Sequence, residues 1–134
     1  MSWPGKIKSG KSDFISANWD LMPTLADIIQ VAIPANTDGI SLYSTIFDVP
    51  EEQTQHPYLY WEFHEQGGKQ AVRMGKWKAV KTNAGNPSKM KVELYDLESD
   101  ASEKTDVSLQ HPDIVKTMTA LMNTAGTPDK AFRF

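Results

Sequence analysis

A chain of 134 residues is long enough for one domain with a core and too short for two ordinary ones. Its formal charge of −3 argues against a general polyanion binder, because binding a phosphate backbone takes a surplus of basic surface, and no nucleic acid is expected as a partner. The absence of cysteine excludes disulfides, thiolate metal sites and a cysteine nucleophile; no apolar run approaches the roughly 20 residues of a membrane span, so no membrane partner is expected either.

The chain starts in loop-like sequence: Trp3-Pro4-Gly5 is a turn signal, and Ser9-Gly10-Lys11-Ser12 is polar and flexible. Phe14 to Ala17 reads as a short strand. Asp20 is placed as a helix N-cap, with Pro23 tolerated in the first turn. Leu21, Met22, Leu25, Ile28, Ile29 and Ala32 fall at helical spacing, which predicts an amphipathic helix over 21–31. Pro34 ends it, Asn36 to Gly39 turn the chain, and 40–47 is expected to form a short helix before a polar linker over 51–57.

Tyr58-Leu-Tyr-Trp-Glu-Phe-His64 is too short for a helix and rich in residues that suit a pleated surface. Runs over 70–74, 76–82 and 92–97 follow, separated by glycine and Asn/Pro clusters, and read as consecutive antiparallel strands. Alternation puts Leu59, Trp61 and Phe63 on one face, assigned to the core, and Tyr58, Tyr60, Glu62 and His64 on the other. Glu62 and Arg73 are expected to pair as ions across the first hairpin. Residues 83–90 read as a long, mobile connection and 98–110 as an acidic loop. Pro112 opens a second helix, Asp113 suits the positive end of its dipole, and Gly126 is a natural C-terminal cap. Its stripe of Ile114, Val115, Met118, Leu121, Met122 and Ala125 can cover one face of a small sheet, giving an α+β architecture of about four antiparallel strands against a C-terminal helix.

Little chemistry is marked in the residues themselves. Read as a calcium loop, Asp96 to Asp100 fails on spacing, with Ala101 at the glycine position and Val107 at the glutamate position; a turn with capping carboxylates is the better account. His56, His64 and His111 show no metal-ligand spacing. His111, before Pro112, reads as a capping or surface residue, while His64 ends the aromatic strand beside Glu62 and Glu65, where a loop could present it to a ligand. No glycine-rich loop opens a helix, and nothing marks a nucleophile elbow.

Taken together and in order, several segments resemble the C-terminal part of formylglycine-dependent sulfatases of the arylsulfatase type, in the alkaline-phosphatase-like superfamily. They are Trp3 to Lys8, Ser12 to Ser16, Asp20 to Leu25, Asp38 to Leu42, Tyr58 to Phe63, Gln70 to Lys78, Glu93 to Leu97, then Asp100, Glu103, Asp106-Val107 and His111 to Val115. The resemblance implies that residues 1–50 are the trailing part of a large catalytic domain and 51–134 a C-terminal subdomain with a four-stranded antiparallel sheet against a helix. For the complete enzyme it implies sulfate-ester hydrolysis, commonly on a carbohydrate, by a hydrated formylglycine assisted by calcium.

The nucleophile motif of that family, Cys or Ser, any residue, Pro, then Ser-Arg or Ala-Arg, is absent from these residues, and no residue matches a calcium ligand. The chain by itself is therefore expected to have no catalytic residue, cofactor or metal, and to behave as a fragment. What the resemblance implies here is contact with the sugar: His64, Glu65, Gln66 and Lys69 are the candidates for a leaving-group pocket, and Glu62 would suit sugar hydroxyls. The alternative is a non-catalytic module that binds sulfated glycans or a partner protein. Residues 1–50 are expected to be poorly ordered or to pair with a second copy of the chain. The family suggests an exported bacterial enzyme, periplasmic or extracellular, although no signal region is visible.

Overall fold

The strands form because their turns and side chains agree. Gly75 takes a φ of 56° in the two-residue turn that joins Met74 to its partner Trp77, a conformation an L side chain resists. In the computed structural model, which describes residues 2–49, 52–127 and 129, the elements are a 3₁₀ turn (Asn18–Asp20), α1 (Leu21–Ile28), α2 (Tyr43–Ile46), β1 (Leu59–Phe63), β2 (Lys69–Met74), β3 (Trp77–Thr82), β4 (Lys91–Asp96) and α3 (Pro112–Ala125). They belong to two compact units, Met1–His56 and Pro57–Phe134.

In the second unit the four strands form an antiparallel sheet in the order β1-β2-β3-β4. Tyr60 pairs with Val72, Val72 with Ala79 and Ala79 with Leu94, so these residues share one face. Helix α3 covers that face. Val72, Ala79, Leu94, Met118 and Met122 make the buried core, with Tyr60, Trp77, Ile114, Val115 and Leu121 packed around them. The expected α+β architecture is what forms.

The face assignment of β1 is corrected. Leu59 is buried, but Trp61 is 38% and Phe63 49% exposed, while Tyr60 packs on the core. Because β1 is aromatic on both faces, its own alternation does not choose between them; the register with Val72 and Leu94 does. The same register separates Glu62 from Arg73. Glu62 pairs with Gln70 and Arg73 with Leu59, on opposite faces, so the expected ion pair does not form. Gly126 is the C-cap of α3, as expected, but with an extended backbone (φ −71°, ψ 142°) rather than a left-handed one, and a Cβ there would lie 3.0 Å from Glu62 Oε2 and 3.3 Å from the Tyr60 hydroxyl.

The long β3–β4 connection is tied down. Ala84 N–H donates to the Gly68 carbonyl (3.0 Å) and Gly85 N–H to the Gly67 carbonyl (3.2 Å), so it lies along the β1–β2 turn. The acidic loop uses its carboxylates as turn acceptors. Asp100 Oδ2 accepts the N–H groups of Lys104 (2.7 Å) and Thr105 (2.8 Å), and Asp106 Oδ1 those of Leu94 (3.1 Å) and Ser108 (2.9 Å). His111 stands at the N-cap of α3 with no side-chain capping bond, its ring against Trp77 at a centroid distance of 4.7 Å.

The first unit departs further from expectation. Residues 14–17 form no strand. Helix α1 ends at Ile28 rather than 31, with Gln30 in the left-handed region (φ 58°). Asp20 takes the N-cap position of α1, as expected, but its side chain makes no capping bond to the helix. Its carboxylate accepts the N–H groups of Ala17 (2.7 Å) and Ile40 (3.0 Å). The helix is buried through Pro23, Thr24 and Ala26, whereas Leu21, Met22, Leu25 and Ile29 are exposed, Ile29 by 67%. The apolar stripe is real, but it faces outward. Helix α2 is shorter than the predicted 40–47, and the first residue of the predicted linker, Glu51, lies outside the described residues.

Candidate functional site at the tip of β1

The end of β1 is held by a chain of hydrogen bonds that starts on α3. Gln70 Nε2 donates to the Met122 carbonyl (3.3 Å) and to the Tyr60 hydroxyl oxygen (2.9 Å). Tyr60 O–H donates to Glu62 Oε2 (2.5 Å), and His64 Nε2–H donates to Glu62 Oε1 (3.2 Å). Tyr60, Glu62 and Gln70 can join because β1 and β2 place them on the α3 face of the sheet. Burial of Tyr60, reinforced by its bond to Glu62, pushes its hydroxyl up to about 12, so it remains a proton donor to the carboxylate. A carboxylate that accepts from Nε2–H fixes the orientation of the His64 ring.

After His64 the loop turns through Gln66, Gly67 and Gly68, at φ values of 53°, 86° and 81°. Gly68 N–H closes the turn on the Glu65 carbonyl (3.1 Å). Lys69 Nζ donates to Gln66 Oε1 (3.3 Å). Of the four residues singled out in the sequence, three fall on this loop and Lys69 opens β2; they form two hydrogen-bonded groups, His64 with Glu62 and Lys69 with Gln66, and Glu65 is exposed between them. What sequence reasoning missed is the support: Tyr60 and Gln70 are ten residues apart, and only strand pairing brings them together.

A second buried polar centre was also missed. Asp20 is fully buried in the first unit and accepts a bond from His56 Nε2–H at 2.8 Å, besides those from Ala17 and Ile40. Thr24, equally buried, donates to the Asp20 carbonyl (2.6 Å) and accepts from Leu42 N–H (2.9 Å). Gly39 is required beside them, since a Cβ there would lie 2.2 Å from the Trp19 carbonyl oxygen. Every polar atom of this centre is used in holding loops together, which makes it architecture. At a sequence separation of 36, Asp20 and His56 carry no local signal of their pairing. Among the described residues no three His, Cys, Asp or Glu side chains converge to hold a metal ion.

A four-stranded meander under one helix, preceded by a helical segment and carrying a polar loop at the tip of its first strand, defines the α+β C-terminal module of sulfatases. The family model described as N-sulphoglucosamine sulphohydrolase, C-terminal, matches residues 1–126, and the chain belongs to that family. It is 26% identical over 137 aligned positions to an N-acetylgalactosamine-6-O-sulfatase of Bacteroides thetaiotaomicron, covering 93% of this chain and 26% of that protein. It is 32% identical over 94 positions to a Δ4,5-hexuronate-2-O-sulfatase of the same organism, covering 66% of this chain and 18% of the relative. The solved structure of a 2-O GAG sulfatase superposes with a TM-score of 0.66 at 29% identity, over 79% of this chain and 23% of that one. The chain thus spans about a quarter or less of the length of the relatives it matches.

Proposed function

We propose that this chain is the C-terminal subdomain of a carbohydrate sulfatase, serving the complete enzyme as scaffold and as one wall of the pocket for the leaving-group sugar. The observation that carries the reading is the hydrogen-bond chain from α3 through Gln70, Tyr60 and Glu62 to His64, which fixes an imidazole at the tip of a strand. A side chain held in this way loses little freedom on meeting a ligand, which favours binding. In the proposed pocket His64 and Lys69 meet anionic groups of the substrate, and Glu65 and Gln66 meet its hydroxyls. The relatives named for sulfatases acting on N-acetylgalactosamine and hexuronate support a sulfated carbohydrate as substrate.

Residues 1–50 then complete the catalytic domain, and residues 51–134 form the subdomain. A nucleophile and calcium ligands would come from segments other than these; in such an enzyme a hydrated formylglycine would supply the nucleophile and calcium would supply positive charge for the sulfate oxygens. Kinship with bacterial sulfatases supports an exported enzyme, working in the periplasm or outside the cell. The test is His64→Ala in the full-length enzyme: kcat/KM for its sulfated sugar falls by about tenfold or more, roughly 1.4 kcal/mol of transition-state stabilisation. An unchanged kcat/KM removes His64 from the pocket. A second reading, a module that itself binds sulfated glycans, is favoured by the aromatic and basic side chains on the open face of the sheet.

A further inference from the structure

The face of the sheet opposite α3 has a composition unlike the rest of the chain. The strand register lines up Leu59, Arg73, Lys78 and Tyr95 in one row, Trp61, Ala71, Val80 and Glu93 in the next, and Phe63, Lys69, Thr82 and Lys91 in the third. Four cationic side chains therefore stand on this face with a single carboxylate, in a chain whose net charge is −3. Between the first two rows and the turn after β4 lies a cleft of about 570 Å³ lined by Trp61, Ala71, Arg73, Lys78, Leu97, Ala101 and Glu103. It shares no residue with the group of His64, Glu65, Gln66 and Lys69.

The chemistry of this cleft is specific. Lys78 Nζ is held by Glu103 Oε1 at 2.6 Å, so that pair is locally neutral. Arg73 is engaged by the Gly75 carbonyl, to which its Nε–H donates at 3.4 Å, and it forms no ion pair among the described residues. Its guanidinium fork is therefore available to a two-oxygen anion. Trp61 offers an indole surface whose electron-rich face attracts the electropositive C–H groups of a pyranose ring. Glu103 supplies an acceptor for hydroxyls. The volume falls in the range of sites for small ligands.

We propose that this open-face cleft is a second saccharide subsite, remote in chain terms from the β1–β2 loop, which takes an anionic sugar unit of a sulfated glycan. Trp61 stacks on the ring, Arg73 receives the sulfate or carboxylate, and Glu103 orients hydroxyls. The inference rests on the proposed reading that the substrate is a sulfated carbohydrate; it adds that this module itself holds the polymer at a place where no sulfate is cleaved. Glu93 and Glu103 on or beside this face disfavour a densely charged phosphate polymer and leave a sugar of spaced charges as the better fit.

Calorimetric titration of the 134-residue chain with a chondroitin sulfate hexasaccharide, and with the same oligosaccharide desulfated, tests it. The expected result is binding of the sulfated sugar that weakens with added NaCl, and a desulfated sugar bound at least about tenfold more weakly. Trp61→Ala and Arg73→Gln each weaken binding by about tenfold, with unchanged far-ultraviolet circular dichroism, while Lys116→Ala, at an exposed position of α3, leaves it unchanged. Arg73→Gln keeps the test open should Trp61→Ala fail to fold. The proposal is overturned if the sulfated sugar does not bind, if sulfation makes no difference, or if only His64→Ala weakens binding. It is also overturned if sedimentation shows a dimer that Trp61→Ala dissolves and the sugar does not, because a second copy then owns the face. Since the kinetic test of His64 and this binding test use different residues and readouts, either can fail while the other stands.

Discussion

Lys81 shows how one buried side chain sets a cost that the fold then carries. It lies on the α3 side of β3, only 5% exposed, with its ammonium donating to Asn123 Oδ1 at 3.1 Å. Burial pushes its pKa down, so folding disfavours the charged form. The cost is present at neutral pH and is relieved as pH rises through the lowered pKa toward the ordinary 10.5. Lys81→Met should therefore raise Tm at pH 7, and the gain should shrink above pH 10. Asn123 is exposed and keeps the ammonium near water, so the gain is small, roughly 2 to 4 °C. Thermal unfolding of both proteins at pH 7 and pH 10.5 measures it; an equal difference at the two pH values would contradict the assignment.

Strand β4 and the loop after it are joined by one carboxylate. Val107 N–H returns to the Leu94 carbonyl at 2.8 Å, and Asp106 receives Leu94 N–H in exchange, so the loop adds a further rung at the edge of the sheet. Burial by itself would raise the pKa of Asp106, but the N–H groups of Ser108 and Leu94 and the charge of Lys91 outweigh it and leave the pKa lowered. A carboxylate depressed in the fold contributes stability fully above its ordinary value of 3.8, and loses it as pH falls through the folded value. Asp106→Asn should thus lower Tm at pH 7, and should flatten the further fall in Tm between pH 4 and pH 2. The amide oxygen still accepts both N–H groups, so the loss is that of a charge-assisted bond turned neutral. A wild-type slope in that acid window would refute the role.

At the scale of the molecule, what matters is which chemistry the chain holds and which it does not. It contains no cysteine and no Cys/Ser-x-Pro-Ser/Ala-Arg segment, and its described residues offer no metal cradle. The purified chain should therefore release no sulfate from an aryl sulfate or a sulfated sugar above a heat-killed control, even with calcium added. Turnover that survives purification and rises with protein concentration would show that the reaction needs none of the family's nucleophile chemistry.

The residues that set the elements were legible in sequence. Gly67-Gly68 and Gly75 mark hairpins, Pro112 opens α3, and the 3.6-residue stripe of Ile114, Met118 and Met122 foretells the helix that seals the sheet. The loop from His64 to Lys69 was legible for the same reason, as polar sequence between two strands. The buried face was another matter. In β1, Trp61 and Phe63 are as apolar as Tyr60, so only pairing with Val72 and Leu94 decided which side α3 would cover. In α1, periodicity found the apolar stripe, yet Thr24 and Asp20 went inside because their backbone and carboxylate partners lie at Leu42, Ile40 and His56. Local propensity and spacing are carried by neighbours in the chain, and the sequence by itself determined them. Register, long-range hydrogen bonds and the choice of face depend on partners tens of residues away, and only the tertiary structure decided those, including the relay that holds His64 and the cleft beside Trp61.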